Sequence, residues 1–263
     1  MIELGSGPNL VFLPGFMGGG QDWLPVARRL SKQFTCLLVH WPTVEEQPVG
    51  RPQWTIQHYA KHLHKQLHHH LRQPFAVVGY SLGARVAMHF LLGKRKPQAL
   101  IFEGGHPGLA SENERDNRYR SDLQWAERFY REPMEAVLSD WYQQEVFEGM
   151  SDEDKQSCIK QRARLDGRTV SAQLSCCSLG QQEDMQPVLQ DSEVPTLYLA
   201  GNEDKKYCAI GQALADKAPR MTFQSVSQCG HNCHISQPDF IARQLSSFLE
   251  EVYEPNESGA QLH

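Results

Sequence analysis

Three residues that can form a proton relay occur in order along the chain: Ser81, Asp204 and His231. Ser81 lies in a Gly-x-Ser-x-Gly motif, between a short valine-rich run and a helical pattern. A nucleophile elbow requires this strand, sharp turn and helix, and it needs glycines such as Gly79 and Gly83 where a side chain would collide with backbone. The motif alone could arise by chance in a loop. The prediction that Ser81 is a nucleophile or a base therefore depends on the strand before the motif and the helix after it.

The acid and the base follow in the order expected for this kind of site. Asp204 comes just after an apolar strand predicted at 194–201, where the acid of a Ser, Asp, His order should fall, and Glu203 is the alternative. His231 lies in the run Cys-Gly-His-Asn-Cys-His at 229–234, which could instead bind zinc. The cysteines and histidines of this run alternate so closely that they suit a single loop better than a closed tetrahedral zinc site. We therefore expect no metal here.

A glycine-rich loop at 15–20 follows the strand predicted at 9–14. It has no Gly-Lys-Ser/Thr and no Gly-x-Gly-x-x-Gly, so it does not indicate nucleotide binding. In α/β-hydrolases this loop supplies one backbone N–H of the oxyanion hole, and the residue after the serine supplies the other. The predicted donors are Phe16 and Leu82. Many relatives carry His-Gly where this chain has Pro-Gly, which removes one side chain that could support the loop.

Strands and helices alternate over most of the chain, which predicts a mainly parallel sheet flanked by helices. In such sheets the functional site lies at the carboxyl ends of the strands. The strands are predicted at 9–14, 34–39, 75–79, 99–103, 194–201 and 221–226. The helices between them are predicted at 22–30, 55–71, 82–92, 209–218 and 237–252. A proline-rich surface loop is predicted at 47–52.

The alternation stops between the fourth and fifth predicted strands. From 111 to 187 only helical patterns occur, at 112–129, 133–143, 151–162 and 169–179. This block predicts a helical cap inserted into an α/β-hydrolase core formed by residues 1–110 and 188–253, with a polar tail at 254–263. The predicted cap contains arginines and aromatic residues. Taken one at a time, each arginine could be a solvated surface charge, and each aromatic residue could belong to the apolar core of the cap.

Composition excludes several classes of function. The chain has 263 residues, 40% hydrophobic and 22% charged, which fits one large α/β domain with an insertion. A net charge of -5 and a pI near 6.2 give no general attraction to nucleic acid. The sequence shows no secretion signal or membrane-spanning run, and its seven cysteines form no framework. We therefore expect a cytoplasmic protein without membrane insertion.

The helix predicted at 55–71 contains six histidines, some of them four residues apart. Such spacing could place two imidazoles on one face for a metal ion. No acidic residue or cysteine lies among them, and the helix needs a polar outer face in any case. The histidines are therefore interpreted as surface residues.

Four segments together resemble one family: Gly-Tyr-Ser-Leu-Gly-Ala-Arg at 79–85, Glu-Gly-Gly-His-Pro-Gly-Leu at 103–109, Asp-Trp-Tyr-Gln-Gln at 140–144 and Gly-His-Asn at 230–232. The chain resembles 2-succinyl-6-hydroxy-2,4-cyclohexadiene-1-carboxylate synthase of menaquinone biosynthesis over nearly its whole length. The resemblance implies a lyase that eliminates pyruvate from an enolpyruvyl substrate, with no metal or organic cofactor. It also implies substrate-binding roles for Arg85, Arg118, Arg162, Tyr80, Trp141 and Phe147.

Elementary chemistry agrees with that implication. A small-molecule polycarboxylate needs several cations, and a guanidinium binds a carboxylate bidentately. Asp204 would orient His231, which would activate Ser81 to remove a ring proton. The polypeptide is expected to be a monomer or a weak oligomer. Two alternatives remain open: a serine hydrolase of esters or C–C bonds that uses the same triad, and an inactive hydrolase fold used for binding.

Overall fold

The computed structural model describes residues 1–46 and 54–253. The loop predicted at 47–52 and the tail predicted at 254–263 lie outside the described residues. No helix in the described ranges is long and apolar enough to cross a membrane.

One sheet organises the described residues. Its seven strands are β1 (Ile2–Leu4), β2 (Asn9–Leu13), β3 (Thr35–Leu38), β4 (Phe75–Tyr80), β5 (Ala99–Glu103), β6 (Thr196–Gly201) and β7 (Met221–Val226). They lie in the order β1-β3-β2-β4-β5-β6-β7, and all pairs are parallel except β1 with β3. Strands β2, β4, β5 and β6 are buried along their whole length, because helices cover both faces of the sheet.

The described helices are α1 (Leu24–Leu30), α2 (Ile56–Gln66), α3 (Leu82–Met88), α4 (Glu112–Arg131), α5 (Met134–Trp141), α6 (Asp152–Arg162), α7 (Gly167–Cys176), α8 (Gln186–Gln190), α9 (Lys205–Ala215), α10 (Cys233–Ser236) and α11 (Pro238–Tyr253). Helices α2, α3, α8 and α9 share one apolar core with the sheet. Helices α1 and α11 share a second core on the opposite face. The predicted α/β-hydrolase architecture, a mainly parallel sheet with helices on both faces, is confirmed.

Helices α4 to α7 lie between β5 and β6 and have an apolar core of their own. Phe129 and Val137 are fully buried in it, and Met17 from the loop after β2 packs into the same core. Side-chain caps explain where these helices begin: Ser111 accepts the N–H of Glu114, and the Asp166 carboxylate caps α7. Helix α7 therefore starts at 167, two residues before the predicted start at 169.

Several other elements differ from their predictions. Strand β1 was not predicted, because three residues at an antiparallel edge carry no clear pattern. Helix α9 starts at Lys205 and not at 209, because the Asp204 carboxylate accepts the N–H of Tyr207 as a cap. The short helix α10 falls in a segment that was interpreted as loop.

The turn between β4 and α3 depends on two close backbone contacts. A Cβ added at Gly79 would lie 2.4 Å from the backbone of Gly83, and one added at Gly83 would lie 2.2 Å from the carbonyl oxygen of Leu13. Ser81 between them has φ 50°, a left-handed conformation that side-chain-bearing residues seldom adopt. The predicted need for both glycines is confirmed by these distances.

We expect Gly83→Ala to lower the free energy of unfolding by about 2–3 kcal/mol, because the added methyl group forces helix α3 away from β2. Gly149→Ala is the matched control, since its nearest neighbour, at 3.1 Å, is the movable end of the Glu203 side chain. The control should change stability by less than about 0.5 kcal/mol. Urea unfolding of both variants measures this, and equal losses would contradict the close-packing argument.

Candidate active site

Ser81 is presented by the turn between β4 and α3. Its N–H donates to the carbonyl oxygen of Glu103 at 2.8 Å, and its carbonyl accepts the N–H of Arg85 at 3.1 Å. These bonds and the packing of the neighbouring glycines hold the residue at φ 50° and ψ -108°. The strain of this conformation is balanced by the surrounding structure, and the hydroxyl is directed into a cavity of about 810 Å³.

A buried carboxylate and an imidazole meet at the ends of β6 and β7. Asp204 Oδ2 lies 2.6 Å from Nδ1 of His231, and the two side chains are 9% and 4% exposed. The other carboxylate oxygen, Oδ1, accepts the N–H of Tyr207 at 3.3 Å. Asp204 is thus the N-cap residue of α9, and this hydrogen bond orients its carboxylate. Glu203 lines the same cavity, but its carboxylate makes no hydrogen bond to His231 within the described residues.

The His231 ring is held between two tyrosines and a glycine. Its centroid lies 5.3 Å from that of Tyr80 and 4.6 Å from that of Tyr207. Gly104 has φ +59°, and a Cβ there would lie 2.7 Å from Cε1 of His231. The imidazole can therefore approach the end of β5 only because position 104 has no side chain.

Ser81 and His231 line one cavity, with Asp204 behind the imidazole. No hydrogen bond joins the Ser81 hydroxyl to His231 in the described ranges. Catalytic hydrogen bonds are often long in the absence of substrate, so shared access to the cavity is the relevant geometry. The structure therefore brings the serine, the imidazole and the carboxylate to the same cavity.

Two backbone N–H groups are available near Ser81. Those of Phe16 and Leu82 have no hydrogen-bond acceptor among the described residues, and both residues line the cavity. The loop around Phe16 lacks the histidine found in many relatives, but the Trp41 indole donates to the carbonyl of Gly15 at 2.9 Å. Trp23 likewise donates to Leu13 at 3.1 Å. Indole donors therefore support the loop from below.

The cavity contains guanidinium groups from three helices. Arg85 on α3 donates to Gln182 Oε1 at 2.5 Å and to the carbonyl of Cys177 at 2.7 Å. Burial lowers the pKa of Arg85 to about 10, which leaves it charged at neutral pH. Arg85 therefore both lines the cavity and joins α3 to the segment after α7.

The other two arginines are also held by neighbours. Arg118 Nε lies 2.9 Å from both carboxylate oxygens of Asp122, and Ser178 donates to the same carboxylate at 2.7 Å. Arg162 donates to the hydroxyl of Tyr142, with its guanidinium 5.7 Å from the centre of that ring. Helices α4 and α6 therefore supply two oriented cations to the cavity.

The aromatic residues named by the resemblance also line the cavity. The Trp141 ring lies 5.3 Å from that of Phe16, and Phe147 lies 4.7 Å from Tyr142. Tyr80 is 9% exposed, and burial, with the nearby Glu103 charge adding to it, raises the pKa of its phenol well above the usual value. Tyr80 therefore stays a neutral hydroxyl.

Several cavity residues were not singled out from the sequence as site residues: His106, Asp122, Gln173, Lys206 and Tyr207. His106 belongs to the Gly-Gly-His-Pro-Gly segment, so that motif could have indicated it. Burial lowers the pKa of His106 to about 4, and the charges of Lys206, Arg85 and Arg118 add to the effect. The other positions carry no motif.

The two candidate metal sites of the sequence have other contacts. In the segment 229–234, His231 faces Asp204 and His234 faces Glu103. On α2 the histidines separate, because His58 Nδ1 accepts the N–H of Thr55 while His64 packs against Phe90. Within residues 1–46 and 54–253, no three His, Cys, Asp or Glu side chains are grouped to hold a metal ion.

We expect the neutral state of His106 to make stability depend on pH. Between pH 6.5 and 4 the unfolded chain binds a proton at this histidine and the folded protein does not, so stability falls as pH falls. His106→Asn keeps an acceptor for the N–H of Gly108 and should reduce that fall by about 2 kcal/mol. Urea unfolding at several pH values measures it. His69→Asn, at an exposed position outside the cavity, should match the wild type; equal curves for all three proteins would refute the expectation.

Comparison with known proteins gives a consistent assignment. The family described as alpha/beta hydrolase fold matches residues 8–238. The 2-succinyl-6-hydroxy-2,4-cyclohexadiene-1-carboxylate synthase of Yersinia pseudotuberculosis serotype O:3 is 36% identical over 248 residues, which are 94% of this chain and 89% of that protein. The synthase of the same name from Yersinia enterocolitica serotype O:8 is 34% identical, over 94% of this chain and 88% of that one.

Solved structures show the same fold. MenH from S. aureus superposes with a TM-score of 0.87, at 24% identity over 96% of each chain. A thermophilic esterase from Thermogutta terrifontis superposes with a TM-score of 0.81, at 21% identity over 95% of this chain and 92% of that one. From the family match and the curated relatives together, the chain belongs to the α/β-hydrolase fold family and, within it, to the 2-succinyl-6-hydroxy-2,4-cyclohexadiene-1-carboxylate synthase family.

Proposed function

We propose that this protein eliminates pyruvate from 2-succinyl-5-enolpyruvyl-6-hydroxy-3-cyclohexene-1-carboxylate and forms 2-succinyl-6-hydroxy-2,4-cyclohexadiene-1-carboxylate, a lyase step of menaquinone (vitamin K2) biosynthesis in the cytoplasm. The curated relatives carry the name of the synthase of that product. The observation that carries the proposal is one cavity lined by Ser81, the Asp204–His231 pair and three arginines. Such a cavity combines a proton relay with binding sites for carboxylates.

The relay moves one proton at a time. Asp204 accepts the Nδ1–H of His231, which leaves the Nε2 lone pair as the base. His231 takes the hydroxyl proton of Ser81, and the serine oxygen removes a proton from the substrate ring. As the ring C–H bond breaks, a double bond forms and the C–O bond to the enolpyruvyl group breaks. The leaving oxygen takes the proton that His231 holds, and the released enolpyruvate tautomerises to pyruvate.

Negative charge develops on the carbonyl oxygen conjugated with the carbanion. The N–H groups of Phe16 and Leu82, which have no acceptor in the part of the chain that the structure describes, are the donors that would bind this oxygen. Because they are fixed before the reaction, they need little reorganisation when charge appears. Ser81 lies directly before Leu82, so proton removal and charge stabilisation occur at adjacent positions.

The three arginines would bind the substrate carboxylates. The bond to Asp122 uses only Nε of Arg118, and its terminal nitrogens make no hydrogen bond within the described residues. They remain available for a bidentate contact. Arg162 faces the cavity beside Tyr142, and Tyr80, Trp141 and Phe147 would contact the ring and the succinyl carbons. In a protein of net charge -5, attraction for a polycarboxylate must come from this cavity.

Residues 111–187 would act as the cap of this site, over a core formed by residues 1–110 and 188–253. The packing of Phe16 and Met17 against aromatic and apolar residues of α4 and α5 supports this division. A cap in this place excludes water from the developing charge. It also positions Arg118 and Arg162 opposite Ser81.

We expect the elimination to release one pyruvate per substrate and to form a conjugated diene, with no solvent oxygen-18 entering a carboxylate. Ser81 only moves a proton, so no acyl-enzyme forms and no water is consumed. Coupled pyruvate detection, ultraviolet absorbance and mass spectrometry of the carboxylates measure the three outcomes. Capture of an acyl group on Ser81, or label in a new carboxylate, would establish a hydrolase.

We expect Ser81→Ala to lower kcat by more than about a hundredfold, because the relay loses the group that meets the substrate. Binding of the substrate should stay within a few fold, since the arginines remain. Single-turnover kinetics and equilibrium titration separate the two effects. Normal turnover by this variant would remove Ser81 from the mechanism.

We expect Arg118→Ala to lower kcat/KM roughly ten- to a hundredfold, the effect of losing a charged hydrogen bond worth about 1.5–3 kcal/mol. Tm should fall as well, because the buried Asp122 carboxylate loses its ion-pair partner. Arg128→Ala is the control, because Arg128 on the same helix pairs with Glu132 and Asp140 outside the cavity. Arg85→Ala should lower both kcat/KM and Tm, since Arg85 also bonds Gln182 and Cys177. Equal kinetics for the Arg118 and Arg128 variants would contradict the assignment.

A further inference from the structure

A buried acid–imidazole pair lies beneath the cavity, and the proposed reaction does not use it. Glu103, the last residue of β5, accepts hydrogen bonds at Oε1 from Nδ1 of His234 at 2.8 Å and from its backbone N–H at 3.2 Å. The side chains are each 1% exposed. Glu103 Oε2 and His234 Nε2 are buried without a partner among the described residues. Burying such groups is costly, so their retention needs a physical reason.

Glu103 joins the two halves of the proposed relay. Its backbone carbonyl accepts the N–H of Ser81 at 2.8 Å, and it pairs with Tyr80 in the register of β4 and β5. Its carboxylate binds His234, which lies three residues after His231 in the chain. One residue therefore contacts the serine turn through its backbone and the histidine segment through its side chain.

The His234 ring is fixed by aromatic neighbours that also contact the site. Trp23 stacks on it at 4.2 Å with an interplanar angle of 26°, and Tyr80 lies 4.6 Å away. Tyr80 in turn lies 5.3 Å from the ring of His231. The four rings form a packed series, so a shift of His234 would displace both Tyr80 and the segment carrying His231.

We propose that Glu103 and His234 are positioning residues, which hold the His231 imidazole at the distance and orientation from Ser81 that proton transfer requires. They touch neither substrate nor reacting atoms, and act through Tyr80 and the 231–234 segment. A misplacement of about 1 Å at a catalytic group can cost about a hundredfold in rate, so the pair's effect is expected in kcat. This inference rests on the proposed role of Ser81 and His231.

The test uses Glu103→Gln and His234→Gln, which change the acceptor and the donor of the same hydrogen bond. Glu103→Gln retains side-chain shape, and the second variant keeps the test valid if the first fails to fold. We expect kcat to fall roughly ten- to a hundredfold while KM changes less than about threefold. The rate constant for labelling of Ser81 by a fluorophosphonate should fall in parallel. Labelling needs no natural substrate, so it tests this inference even if the proposed substrate is wrong.

The control is His64→Gln. His64 also packs on an aromatic ring, that of Phe90, with centroids 4.2 Å apart, and it does not line the cavity. It should match the wild type in kcat and in labelling rate. The double variant Glu103→Gln/His234→Gln should be no slower than the slower single variant, because both changes act on the same hydrogen bond. Additive losses, or a lower Tm with unchanged labelling and kcat, would overturn the proposal.

Discussion

The close approach of helix α3 to strands β2 and β4 is the constraint on which the rest of the site depends. With no side chain at Gly79 and Gly83, backbone meets backbone, and Ser81 is held in a left-handed conformation above the sheet. That position exposes the hydroxyl and leaves the N–H of Leu82 without an acceptor among residues 1–46 and 54–253. A larger group at either glycine would change the positions of the Ser81 hydroxyl and the Leu82 N–H together. The strain is local, and the parallel sheet around it supplies the rigidity that sustains it.

A second constraint is electrostatic. The chain is acidic overall, yet its cavity concentrates guanidinium groups whose burial must be offset. Each is held differently: Arg85 by an amide and a carbonyl, Arg118 by the buried carboxylate of Asp122, and Arg162 by the phenol of Tyr142. Neutral partners leave positive charge uncompensated and available to an anion. The carboxylate of Asp122 engages one edge of its arginine and leaves the other edge free.

Burial explains why neighbouring titratable groups stay neutral, and for His106 the positive field of the arginines adds to its effect. Burial and nearby cations favour the uncharged imidazole of His106, while burial favours the protonated phenols of Tyr80 and Tyr207. Neutral donors and acceptors can shape the cavity without competing for the carboxylates. The acid–base pair of the site, Asp204 with His231, lies against the same two tyrosines, and the carboxylate is oriented by its hydrogen bond to the N-terminus of α9.

The sequence by itself determined the layers of the fold and the order of the site residues. Strand and helix periodicities are local, and the elbow at Ser81 has a motif, because sharp turns demand particular residue types. What only the tertiary structure decided are contacts between distant segments. Asp204 and not Glu203 faces His231, since the cap of α9 sets the direction of the carboxylate. Likewise the bond between Glu103 and His234 joins residues 131 positions apart. No local pattern encodes such a pair, because it arises only when parallel strands bring their carboxyl ends to one edge of the sheet.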